Sequence, residues 1–166
     1  AQLNEPEITA YSMDAHGSIP NNPKLPLLVY KGAVTLPEED PSAALAEVFR
    51  HNNWHKIWRN DIYDYHHYHS TAHEVIGVFN GSAQVRFGGD PGPLVEMEIG
   101  DVVVIPAGVA HKKIAGTGDF GVVGAYPESQ DWDMNFGEER EQADAERNIE
   151  EVGLPAQDPL YGTGGP

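Results

Sequence analysis

The sequence predicts an all-β fold flanked by a helix at each end. Three observations carry that expectation. Between Tyr63 and Tyr126, short β-rich runs follow one another, separated by Gly, Pro, Asn and Asp at the intervals of sandwiches and barrels. Helical periodicity appears only before and after that stretch. Strands and helices do not alternate, which argues against a parallel sheet.

The elements follow in order. "GSIPNNPKLP" is turn-rich, and "LPLLVYKGAV" after it reads as a strand. "PEEDPSAALAEVFRHNNW" reads as a helix with Asp40 as N-cap and Pro41 in the first turn. Ala44, Leu45, Val48 and Phe49 recur on one face of it. "IYDYHHYH", "EVIGVFN", "SAQVRF", "LVEMEI", "DVVVIP", "HKKIAG" and "FGVVGAY" read as strands. "GEEREQADAERNIEEVG" reads as a charged surface helix, and "LPAQDPLYGTGGP" as a loop-like tail. The expected layout is one domain over 1–166: an N-terminal segment to about 60, a β core at about 61–127, and a helix and tail from about 128.

Composition narrows the function classes. The 166 residues carry 26 acidic against 10 basic side chains, a formal net charge of −16. Phosphate backbones and anionic membranes need a basic footprint, so nucleic-acid and membrane partners are not expected. There is no cysteine, which removes disulfides, thiolate chemistry and iron–sulfur clusters. No apolar run approaches membrane-spanning length, and "AQLNEPEITA" lacks the regions of a signal peptide. A cytoplasmic location is the expectation, although the missing initiator Met is compatible with a removed leader.

The chemistry concentrates in "YHHYHSTAHE", Tyr65 to Glu74, which holds four of the eight histidines. Read as a strand, "YDYHHYH" places Tyr63, Tyr65, His67 and His69 on one face, with Asp64, His66 and Tyr68 on the other. A reversal at "STA" lets a second strand start at Glu74 and bring its carboxylate to the same point. In "GDVVVIPAGVAH", Pro106 and Gly108 force a turn that aims His111 at that cluster. Three imidazoles and a carboxylate suit one divalent transition metal, Fe, Mn, Ni, Cu or Zn, with positions left for a ligand. Glu74 has a rival: a register one residue earlier would turn His73 inward instead.

Two spaced motifs resemble those of the cupin superfamily. "HYHSTAHEVIGVFNG" fits the first, with His67, His69, Glu74 and Gly81 in its positions. "GDVVVIPAGVAH" fits the second, with Gly100, Pro106, Gly108 and His111. "IPNNPKLPLLVY", "WRNDIYDYHHYHSTAHEVIGVFNGSA", "VVGAYP" and "LPAQDPLYG" extend the likeness to the small RmlC-like cupins of the YjlB type. The resemblance implies a double-stranded β-helix, the cupin jelly-roll barrel, with a metal held by three His and one Glu, in a homodimer. Asp61 stands where the first motif often opens with Gly, and Ala115 where the second often closes with Asn.

The remaining polar and aromatic residues divide by the face they occupy. Tyr63 and Tyr65 share the ligand face and are pocket candidates, Tyr63 more readily as barrel filling. His73, if not a ligand, backs the cluster or lies at the surface. His66 faces away. Gln84 and Arg86 alternate with Ala83, Val85 and Phe87 and should point outward. Trp54 and Trp58, near the barrel mouth, could form a substrate wall and read more readily as core anchors ahead of the barrel. The resulting expectation is a metal-dependent enzyme acting on a small organic molecule inside the barrel, foremost a dioxygenase-type oxidoreductase, with Glu74 as ligand or base. A non-redox isomerase or lyase, or a non-catalytic small-molecule binder, stands as the alternative, because fold alone does not choose among them.

Overall fold

The computed structural model describes residues 1–163 and 165. Strands β1 (Gln2–Leu3), β2 (Glu7–Tyr11), β3 (Leu27–Lys31) and β4 (Val34–Thr35) lead into helix α1 (Pro41–His51). Then come β5 (Trp54–Asn60), β6 (Glu74–Asn80), β7 (Ser82–Phe87), β8 (Leu94–Glu98), β9 (Val102–Ile105), β10 (His111–Gly116) and β11 (Gly121–Pro127). A 3-10 turn, Glu139–Glu141, leads into α2 (Gln142–Glu151). The order of the large sheet is β2-β3-β9-β6-β11-β5, and that of the small one is β10-β7-β8. The two sheets face each other, but their ladders do not join, which corrects the closed barrel expected from the sequence. Where the two would meet, the segment ahead of β6 contributes the isolated bridge His67↔His111 and a bond from the Lys113 N–H to the Tyr63 carbonyl in place of a continuous strand.

The central strands of the large sheet, β9, β6 and β11, are buried on both faces. Toward the small sheet, Ile76, Val78, Val103, Ile105 and Val122 meet Ala83, Val85, Phe87, Val95 and Met97. On the opposite face, Val75, Val102, Val123 and Ala125 pack on Leu45, Ala46 and Phe49 of α1. This is why strands β6, β9 and β11 read as near-continuous apolar runs. In β7 the small sheet keeps the alternation of a one-sided sheet: Ala83, Val85 and Phe87 face in, while Gln84 and Arg86 bond outward to Glu96 and the Gly92 carbonyl.

Two local expectations need correction. Asp40 does precede α1, but its backbone is left-handed (φ 47) and its carboxylate makes no capping hydrogen bond. That backbone turns the side chain away from the first N–H groups. The helix also stops at His51 and does not reach Trp54, because Asn53 turns left-handed and the chain enters β5 directly. The second helix forms as expected and buries only Ala145 and Ile149.

Candidate metal centre

The stretch "YDYHHYH" does not form a regular strand, yet its alternation survives. Backbone bonds in both directions between His67 and His111 (3.3 and 2.9 Å) set these two residues side by side. Their ring centroids are 4.0 Å apart. The turn through Pro106 and Gly108 closes as expected. Gly108 is left-handed (φ 93), and its N–H donates to the His69 carbonyl at 2.7 Å. A side chain there would also overlap the Asn21 carbonyl and Ile149.

Ring nitrogens of His67, His69 and His111 lie within 4.8 Å of one another, and all three residues are buried. Glu74, 2% exposed at the start of β6, joins them. Its Oε2 is 3.5 Å from His69 Nε2, and its Oε1 is 3.3 Å from His111 Nε2. Each imidazole gives its Nδ1–H to a backbone carbonyl: His67 to Tyr65 at 3.1 Å, His111 to Val109 at 3.3 Å, and His69 to Asp133. In that tautomer the Nε2 lone pairs face the carboxylate. The centre is thus a set of acceptors without a donor among them, and Glu74 Oε1 has no hydrogen bond. A shared proton or a cation relieves that arrangement.

The electrostatics follow from the geometry. Burial and then the neighbouring His111 push His67 down to about 3, so it is neutral at ordinary pH. For His69, burial favours the neutral ring, but the Glu74 carboxylate outweighs it and raises the pKa. For Glu74, burial alone would raise the pKa. The adjacent His69 and His111 reverse this and hold it ionised.

The other candidates are sorted clearly. Glu74 faces the cluster and His73 faces away, as the β6 alternation requires. His73 is buried behind the site, accepting the Ala107 N–H on Nδ1 at 2.8 Å, and burial drives its pKa down to about 4. Tyr63 and Tyr65 stack on each other at 4.9 Å, and both meet the His67 ring edge-on. His66 turns out to Asp90 at 2.8 Å. A cavity of about 280 Å³ opens over the cluster, lined by Trp58, Tyr63, Tyr126, Trp132 and Met134 among others.

Several of these residues were not singled out from the sequence. Asp133 accepts from the Ser70 N–H (2.6 Å) and from Asn135 Nδ2 (3.0 Å), while its carbonyl orients His69. Tyr126 and Trp132 stack at 6.2 Å and both meet the His69 ring edge-on. Trp54 is the core anchor expected, its Nε1–H donating to the Gln157 carbonyl at 2.9 Å. Trp58 is not only that, since it lines the cavity.

The cupin family model matches residues 65–131. The chain is 41% identical over 158 residues to the uncharacterised protein YjlB of Bacillus subtilis (strain 168), covering 95% of this chain and 93% of that one. Among solved structures, the dTDP-6-deoxy-D-glucose-3,5-epimerase RmlC of Legionella pneumophila aligns with a TM-score of 0.42 at 12% identity, over 74% of this chain and 72% of that one. The 11S allergen of Cocos nucifera aligns at 0.40 and 20% identity over 48% of this chain, which spans only 24% of the allergen. No helix among the described residues is long and apolar enough to cross a membrane.

Proposed function

The chain belongs to the cupin family, and from that premise we propose that His67, His69, His111 and Glu74 hold one divalent transition-metal ion at the floor of a substrate cavity. The observation that carries this is the convergence of three imidazole acceptors and a carboxylate whose Oε1 has no hydrogen bond. The donor set fits Fe(II), Ni(II), Mn(II), Cu(II) or Zn(II). Bound there, the ion supplies a Lewis acid that lowers the pKa of an enol, catechol or carboxylic acid and orients it.

The residues of the chain do the rest. Backbone carbonyls of Tyr65, Val109 and Asp133 fix the imidazole tautomers. Trp58, Tyr63, Tyr126 and Trp132 wall the cavity. Glu74 is the acid-base candidate, with the Tyr126 phenol alongside its carboxylate. The reaction we favour is a dioxygen-dependent oxidation of a small organic molecule. Dioxygen uptake by Fe(II)-, Ni(II)- and Cu(II)-loaded protein, screened over diketones, flavonols and catechols, tests it. Uptake with one class supports the oxidase reading. Turnover only under anaerobic conditions with Zn(II) or Mn(II) replaces it with an isomerase or lyase. Ligand binding without turnover leaves a binding protein.

The proposal extends to one cupin domain over 1–166, assembled as a cytoplasmic homodimer. The outer strand β2 has a free edge and an exposed Ile8, which supports pairing with a second copy.

A further inference from the structure

Trp58 is held in place by features that packing alone does not require. Strand β5 pairs with β11, and the register slips between Trp58↔Gly124 and His55↔Tyr126. Lys56 and Ile57 therefore both oppose Ala125, as a β-bulge. Lys56 takes φ 55, a left-handed backbone that lysine rarely adopts. The bulge reverses the alternation of the strand. Trp54 packs in the layer under α1, whereas Trp58 packs against the inner core and lines the cavity. Without the slip, both indoles would face the same way.

The partner strand is shaped to receive it. A Cβ at Gly124 would overlap Cε2, Cζ2 and Nε1 of the Trp58 indole. Glycine at that position lets the ring lie flat on the β11 backbone. So placed, Trp58 Nε1–H is buried and has no hydrogen-bond partner. The nearest polar neighbour is the Tyr126 phenol, which also lies beside Glu74 and does not meet hydrogen-bond geometry with the indole. A buried unpaired N–H is destabilising, and a strained bulge and a glycine cradle that present one at a cavity wall call for an outside acceptor.

We infer that Trp58 determines specificity: its Nε1–H donates to an oxygen of a substrate seated on the histidine cluster. The class selected is a small planar molecule that carries an oxygen acceptor within reach of the indole when it is seated on the cluster. This rests on the metal reading above. The volume of about 280 Å³ restricts the ligand to small molecules, and Tyr63 and Trp132 supply aromatic walls for a flat one.

Zn(II)-loaded, 15N-labelled protein provides the test, with tropolonate as the two-oxygen planar probe and azide as a single-point probe. The three tryptophans give three indole N–H resonances, assigned with Trp54→Phe and Trp132→Phe variants. Tropolonate should move the Trp58 resonance to lower field and leave that of Trp54, already bonded to Gln157, in place. Calorimetry should show Trp58→Phe binding tropolonate about tenfold more weakly, with azide affinity within about twofold of wild type. Gly124→Ala, which keeps the indole but displaces it, should reproduce the loss. If Trp58→Phe folds poorly, the wild-type resonance shift decides. An unmoved Trp58 resonance, or equal weakening of both probes, overturns the assignment alone. Protein that takes up neither Zn(II) nor any of Fe(II), Ni(II), Mn(II) and Cu(II) overturns the metal reading and this assignment with it.

Discussion

The two faces of the six-stranded sheet use similar polar residues to opposite ends. Each carries a buried carboxylate with a tryptophan nearby. On the face under α1, Asp158 accepts from Tyr30 Oη at 2.6 Å and from the N–H groups of Leu160 and Tyr161 at 2.9 and 3.0 Å. Trp54 there donates to Gln157. Each of these groups is paired within the chain, and the product is a tail clamped to the sheet. On the face toward the small sheet, Glu74 meets His69 and His111 with the Tyr126 phenol alongside, its Oε1 has no hydrogen bond, and Trp58 Nε1 has none either. A fold tolerates unpaired buried groups where a ligand completes them. The contrast separates the structural half of the molecule from the chemical half.

The sharpest way to break that comparison is to delete the two carboxylates in turn. Asp158→Ala should cost about 3–5 kcal/mol in chemical denaturation, since it strands a phenol and two backbone N–H groups. It should leave metal affinity within about threefold, because the tail is on the far face. Glu74→Gln should do the reverse. Metal affinity, measured by competition with a chromophoric chelator, should fall by about 100-fold or more, while apo stability changes by less than about 1.5 kcal/mol. Similar losses of stability in both variants would erase the distinction.

The next test is pH. Burial holds His73 at about 4 and His67 at about 3, both below the ordinary 6.5. Between those values the unfolded chain binds protons that the folded one refuses, so apo stability must fall as pH drops from 6.5 toward 4. His69, with its raised pKa, contributes in the opposite direction: its stabilisation is complete below the unfolded value and is lost as pH rises. His73→Gln keeps an acceptor for the Ala107 N–H and removes one titrating group. From pH 7 to pH 5 it should lose about 1–2 kcal/mol less stability than wild type, followed by urea unfolding. Identical pH profiles would show that His73 is not held neutral by burial.

The smallest effect expected concerns the tryptophans. Trp54→Phe should destabilise by about 1–2 kcal/mol through the lost bond to Gln157. Trp58→Phe should change apo stability by less than about 0.5 kcal/mol, because the N–H it removes is unpaired. Thermal melts of both variants make the comparison.

Much of the site was legible because it depends on a period of two. Glu74 inward and His73 outward follow from where β6 starts, and His67 and His69 share a side even though their segment forms only isolated bridges. Helix α1 was legible from the spacing of Leu45 and Phe49. Strand β2 was not, since Glu7 through Ala10 are exposed and show no alternation. Trp58 was hidden by the bulge: Lys56 turns left-handed without the glycine that would signal it, and the parity of the strand reverses unseen. Asp133 was hidden by distance, since its tie to Ser70 spans 63 residues and leaves no local pattern.

Elemental analysis of protein purified without chelator, beside a His67→Ala/His69→Ala variant, tests the central claim most directly. About one equivalent of a transition metal in the wild type and none in the variant is the predicted result. Wild-type protein that stays metal-free after incubation with Fe(II), Ni(II), Mn(II), Cu(II) and Zn(II), or a variant that retains the wild-type content, would contradict it.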